Sequence, residues 1–91
     1  MKKVRLEAKI FGIVQGVGFR YFARHYALRF GLTGFVENLE DGSVFVVVEG
    51  EESDVQQYLS FLKKGPSTAK ISKVEFQYKE PKNEFLDFEV Y

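Results

Sequence analysis

No cysteine occurs in this sequence, which excludes disulfide staples, thiolate nucleophiles and metal sites built on sulfur. A single histidine, His25, leaves too few imidazole ligands for an ordinary zinc centre. Net charge is missing as well: Lys+Arg and Asp+Glu balance at 13 each. With neither sign dominant there is no bulk field to attract nucleic acid or an anionic membrane, so any anion must be gripped locally. No apolar run approaches the ~20 residues needed to span a bilayer. The opening residues Met1-Lys2-Lys3-Val4-Arg5-Leu6-Glu7 alternate in character and lack the apolar stretch of a signal peptide. A cytoplasmic location is therefore expected. Proline is scarce too, at two residues, in a chain that is 45% hydrophobic and carries ten Phe. That is ample material for one core. At 91 residues a single domain over residues 1–91 is expected. Folding at this size buries roughly 60–65% of the unfolded chain's surface, so the core must be efficient.

Hydrophobic periodicity divides the chain into elements. Val4, Leu6, Ala8 and Ile10 alternate with Arg5, Glu7 and Lys9, the pattern of a half-buried strand. Gly12, Gly16 and Gly18 break it. From Phe19 the period becomes helical, with Phe22, Ala23, Tyr26, Ala27 and Phe30 on the same stripe. Gly31 is placed to close that helix in a left-handed cap. A second strand is predicted over Leu32–Asn38, and Asp41-Gly42 marks a tight hairpin. The run Val44-Phe45-Val46-Val47-Val48 is apolar on both faces, as in an interior strand. Ser53 and Gln56 have the spacing of a capping box. The helix they open would bury Val55, Tyr58, Leu59 and Leu62 and stop at Gly65-Pro66. Ile71, Val74, Phe76 and Tyr78 predict a fourth strand, with Ile71 out of phase. After a turn at Pro81–Glu84, Leu86, Phe88 and Val90 alternate with Asp87 and Glu89 in a short last strand.

The order is βαββαβ with a terminal strand added. That is an α+β, ferredoxin-like split βαβ domain, with both helices on one face of an antiparallel sheet. Such a frame hosts many functions and selects none. Function has to come from a site.

The informative segment is Gly12-Ile13-Val14-Gln15-Gly16-Val17-Gly18-Phe19-Arg20, between the first strand and the first helix. Its glycines let main-chain amides converge into a nest for an anion. The same amides open a helix, where free donors and the macrodipole favour a phosphate. Arg20 adds a planar fork suited to phosphoryl oxygens. Competing motifs fail. A dinucleotide fingerprint needs a third glycine where Tyr21 stands, and a P-loop needs a terminal Gly-Lys-Ser/Thr. Residues 16–22 loosely match an RNA-recognition motif, but that motif lies on a strand, whereas Phe19 and Phe22 share a helix face.

The segment Gly12-x-Val14-Gln15-Gly16-Val17-Gly18-Phe19-Arg20 resembles the signature of the acylphosphatase family. So does Gly34-Phe35-Val36-Glu37-Asn38, standing ahead of Asp41-Gly42-Ser43. Gly65-Pro66 followed by Ala69 is similar to that family's link between second helix and fourth strand. The resemblance runs in order over nearly the whole chain. It implies hydrolysis of acyl phosphates such as acetyl, carbamoyl or glyceroyl phosphate, giving a carboxylate and inorganic phosphate. It places the phosphate on the amides of Gln15, Gly16, Val17, Gly18 and Phe19 and on Arg20, and gives Asn38 the attacking water. It implies no metal and no organic cofactor. Small acyl phosphates and inorganic phosphate are the expected partners, with no nucleic acid or membrane, and a monomer is expected.

The chemistry suits that inventory. A carboxylate leaves readily, so no strong general acid is needed. A loose phosphoryl-transfer transition state is served mainly by charge and positioning. Departures from the family pattern bear on substrate preference. Glu37 stands where a basic residue is usual, and Phe35 replaces a common tryptophan as one core aromatic for another. Phe11 and Ile13 occupy spots often polar or basic, where they would grease the site entrance. His25 falls off the apolar stripe and reads as a surface residue. Glu51, Glu52 and Asp54 complement a helix dipole, and Ser67 and Thr68 read as ordinary loop residues. The rival reading is a non-catalytic anion-binding or interaction module on this frame, or a domain of this kind detached from a larger enzyme.

Overall fold

A computed structural model describes residues 2–91. The alternating N-terminal segment forms β1 (Lys3–Ile13) and the aromatic stripe forms α1 (Phe19–Arg29). β2 (Thr33–Asn38) and β3 (Val44–Glu51) make the hairpin, followed by α2 (Glu52–Lys64), β4 (Lys70–Lys79) and β5 (Phe88–Val90). The sheet order is β4-β1-β3-β2-β5. The first four strands pair antiparallel, as the split βαβ arrangement requires. β5 differs. It adds parallel to β2, from Gly34↔Phe88 to Val36↔Val90, and makes the sheet mixed.

Both helices cover one face. α1 packs on β2 and β5, and α2 on β1, β3 and β4. The core between them holds Leu6 and Ile10 of β1, Val44, Val46 and Val48 of β3, Phe19 and Ala23 of α1, and Val55 and Leu62 of α2. Each fully buried aliphatic or Phe side chain contributes about 1.5–3 kcal/mol relative to exposure. Tyr58 is buried among them, and its hydroxyl donates to the Ala23 carbonyl at 2.8 Å, tying α2 to α1. Val47 is buried on the opposite face, as the doubly apolar pattern of this central strand requires. No helix among the described residues is long and apolar enough to cross a membrane.

The out-of-phase Ile71 has a physical cause. Between Phe11↔Lys73 and Gly12↔Ile71 the register of β1 and β4 shifts, leaving Ser72 without a partner. This bulge turns Ile71 back towards the core beside Val74. Gly12 permits it: a Cβ there would run into the main chain of Lys70 and Ser72. At the end of α1, the Leu32 amide donates to Ala27 O at 2.8 Å and Gly31 N to Leu28 O at 3.1 Å. That is the predicted left-handed glycine closure. It also takes Leu32 out of β2.

Three local expectations are corrected. The capping box at Ser53 and Gln56 does not form: α2 opens at Glu52, and its cap, Glu51, makes no side-chain bond. The strand runs directly into the helix, and the Glu52 amide is satisfied by Lys2 O at 2.9 Å. Leu86 lies outside β5 and is 99% exposed, because its would-be partner Leu32 is held by the helix closure. Phe35 is no part of the main core. Val36 faces the helices, so Phe35 points to the other face, near Phe45, Phe85 and Tyr91 at ring distances of 5.8–5.9 Å.

That other face is crossed by residues 80–87, which carry the chain from one edge of the sheet to the other. Glu49 receives the segment, accepting from the amides of Lys82 and Asn83 at 2.9 and 3.0 Å. Arg5 bonds Glu49 at 2.9 Å and Glu84 at 3.0 Å and lies over the Phe85 ring. Burial by itself would raise the Glu49 pKa, but the Lys82 amide, Arg5 and the Asn83 amide bring it below the ordinary value. The crossing delivers β5 and Tyr91 to the end of the sheet where the loop after β1 lies.

Candidate active site

The loop between β1 and α1 is stretched between two buried side chains, Val14 and Phe19. Within it Gly16 and Gly18 take left-handed conformations, with φ of 75° and 82°. A Cβ at either would meet nothing within 4 Å, so the glycines serve backbone conformation, which costs other residues roughly 1–2 kcal/mol. Among the described residues, no amide from residue 15 to residue 21 reaches a main-chain carbonyl in good geometry. Gly18 caps α1 without a side-chain bond. These donors stay free at the positive end of the helix.

Arg20 sits in the first turn of α1 and is half-buried. Its Nη1 donates to the Tyr91 main-chain oxygen at 2.7 Å. The Tyr91 amide donates in turn to Val36 O at 2.9 Å. One arm of the guanidinium is thereby fixed by the last strand, and its other donors remain available. Asn38 ends β2, opposite Val44. Its Oδ1 is buried and has no hydrogen-bond partner among the described residues. An orphaned buried acceptor of this kind costs roughly 1–3 kcal/mol and marks a place where a ligand or water completes the bond.

These parts converge on one cavity of about 80 Å³. It is lined by Val14, Gly16, Gly18 and Phe19 of the loop, Arg20 and Tyr21 of α1, and Asn38. On the same measure one water needs about 10–15 Å³, so the space suits a group of a few heavy atoms. Of the loop residues singled out from sequence, Gln15 and Val17 do not line it. Val17 packs against the core. The Gln15 side chain turns to the β2–β3 hairpin, where Nε2 donates to Leu39 O at 2.7 Å and Ser43 O at 2.9 Å.

Sequence reasoning missed the side chains that brace this arrangement. Thr68 donates from Oγ1 to Val17 O at 2.6 Å, although its position after a Gly-Pro turn gives no sign of it. In the hairpin, Asp41 accepts from the Ser43 hydroxyl and amide and pairs with Lys9 at 2.9 Å. The Ser43 hydroxyl first, then Lys9 and the Ser43 amide, hold the Asp41 carboxyl well below the usual carboxylate range. Val14 and Tyr21 were likewise not expected in the lining.

Other candidates fall away from the cavity. Glu37 stands opposite Phe45, on the face away from Asn38, as strand alternation requires. Phe11 and Ile13 do not grease the entrance. Neither lines the cavity, and Phe11 lies under Lys9 and Lys73 at 5.2 and 4.7 Å. His25 is exposed on α1 and meets the Tyr26 ring edge-on at 4.9 Å. Replacing His25 with alanine is expected to leave turnover within about twofold, because a working general base is worth roughly 10²–10⁴. Steady-state rates of the two proteins test this, and a hundredfold loss in a folded mutant contradicts it.

A sequence profile of the acylphosphatase family matches residues 6–90. The chain is 48% identical over 73 residues to an acylphosphatase of Aeromonas hydrophila subsp. hydrophila, spanning 80% of this chain and 81% of that one. It is 44% identical over 90 residues to an acylphosphatase of Syntrophotalea carbinolica, spanning 99% and 98%. The crystal structure of acylphosphatase from Bacillus subtilis superposes with a TM-score of 0.93 at 30% identity, covering 97% of this chain and 98% of that one.

Proposed function

The chain belongs to the acylphosphatase family, and from that premise we propose that it hydrolyses the carboxyl–phosphate bond of acyl phosphates. The observation that carries the reading is Asn38, whose Oδ1 is buried without a partner among the described residues and which lines one cavity with Arg20 and the glycine loop. A site that only bound anions would gather donors. An unpaired acceptor beside those donors is suited to a water molecule.

In this reading the free amides of the loop and the remaining donors of Arg20 hold the phosphoryl oxygens, where charge is greatest in the transition state. A water donates one hydrogen to Asn38 Oδ1 and turns a lone pair towards phosphorus. As its oxygen bonds to phosphorus, the bond from phosphorus to the acyl oxygen breaks in line, and that electron pair leaves with the carboxylate. The water's proton passes to a phosphoryl oxygen, so the products are a carboxylate and inorganic phosphate. The leaving group is a weak base, and the reaction calls for no protein acid.

Among the described residues no three His, Asp or Glu side chains are grouped as a metal site would require. Purified protein is expected to turn over acetyl or benzoyl phosphate at an unchanged rate in excess chelator, with inorganic phosphate as a competitive inhibitor. Phosphate binding without turnover would leave an anion-binding module. Loss of activity restored by one divalent ion would replace the mechanism.

A further inference from the structure

We infer that Thr68 and Gln15 are positioning residues that latch the phosphate-binding loop from its two sides, an inference resting on the reading of that loop just given. The Thr68 bond to Val17 O reaches across 51 positions of sequence. Among the described residues, no main-chain amide donates to that carbonyl. The Val17 carbonyl and the Gly18 amide belong to one trans peptide, in which C=O and N–H point in opposite directions. Drawing Val17 O towards Thr68 therefore turns the Gly18 N–H away from Thr68, and Gly18 lines the cavity. A left-handed glycine is free to rotate that peptide. The hydroxyl is what stops it.

Thr68 is itself held on a firm support. The turn after α2 is closed by Gly65 N to Phe61 O at 2.8 Å and Ala69 N to Pro66 O at 3.0 Å, and Ala69 packs on the core. On the other side, Gln15 gives both amide hydrogens to the carbonyls of Leu39 and Ser43. Leu39 follows Asn38 directly. The Gln15 side chain thus sets the spacing between the loop that holds the phosphoryl group and the residue that holds the water. The two latches differ in consequence: Thr68 aims an amide, and Gln15 sets the distance of attack.

Conservative variants separate these roles from general stability. Thr68→Val keeps the shape and removes the donor, whereas Thr68→Ser keeps the donor, and the position is exposed, so both should fold. In Thr68→Val, the inhibition constant of inorganic phosphate and the KM for acetyl phosphate should rise about three- to tenfold, the worth of one hydrogen bond, with a fall in kcat no larger than that rise. Thr68→Ser should stay within twofold of wild type. Gln15→Met, with both donors gone at similar length, should lose roughly tenfold or more in kcat with a smaller change in phosphate inhibition. An unchanged inhibition constant in Thr68→Val, or a serine variant as impaired as the valine one, overturns the Thr68 latch. A Gln15→Met protein that loses only affinity overturns the second role. If wild-type protein neither cleaves acetyl phosphate nor is inhibited by phosphate, the reading of the site fails instead.

Discussion

Arg20→Ala is expected to lower kcat/KM for acetyl phosphate by roughly 10³–10⁵, the range for an arginine acting on a phosphoryl transition state. The loss should divide between KM and kcat, because the phosphoryl group is negatively charged before the reaction as well as during it. The inhibition constant of inorganic phosphate should rise in parallel. Arg20→Lys should recover little. The guanidinium holds Tyr91 O at 2.7 Å with one arm while the rest of the fork stays free, and a single ammonium cannot do both. Circular dichroism guards against a trivial result, since this contact also secures the end of β5. A folded Arg20→Ala protein with wild-type phosphate inhibition would remove Arg20 from the site.

Asn38→Ala should behave differently. Here kcat is expected to fall by roughly 10²–10³, the scale of a lost preorganised hydrogen-bonding group, while phosphate inhibition stays within about twofold. In the proposed mechanism the asparagine serves the water and contributes little to holding the substrate. Stability supplies an independent check. Its Oδ1 makes no bond that the fold needs, so the melting temperature should not fall when the amide is removed. An asparagine kept for a local turn would give the opposite pair of results: normal kinetics and a lower melting point. Loss of phosphate binding in Asn38→Ala, with binding retained in Arg20→Ala, would exchange the two roles.

Where the sequence was misleading, the cause was a competitor from elsewhere in the chain. Ser53 and Gln56 have capping-box spacing, but β3 runs on into α2 and Lys2 O satisfies the Glu52 amide. Leu86 continues the alternation of Phe88 and Val90, yet the partner it would need is occupied in closing α1. Phe35 has the hydrophobicity of a core residue, but strand parity gives Val36 the helix face.

What the sequence determined by itself was whatever depends on residues close along the chain. The period-two run of β1, the aromatic stripe of α1 and the doubly apolar β3 were legible because strand and helix periods are local properties. So were the glycine-rich loop, Arg20 at a helix start and Asn38 at a strand end, since each lies in a short continuous motif. Tertiary structure alone decided how these pieces are held. The link from Gln15 to Leu39 spans 24 positions, Thr68 to Val17 spans 51, Arg20 to Tyr91 spans 71 and Arg5 to Glu84 spans 79. The parallel pairing of β5 and the crossing of residues 80–87 over the open face belong with them. No periodicity encodes such contacts. They exist only once the strand order β4-β1-β3-β2-β5 has brought distant segments together, and it is there that a flexible glycine loop acquires a fixed set of donors.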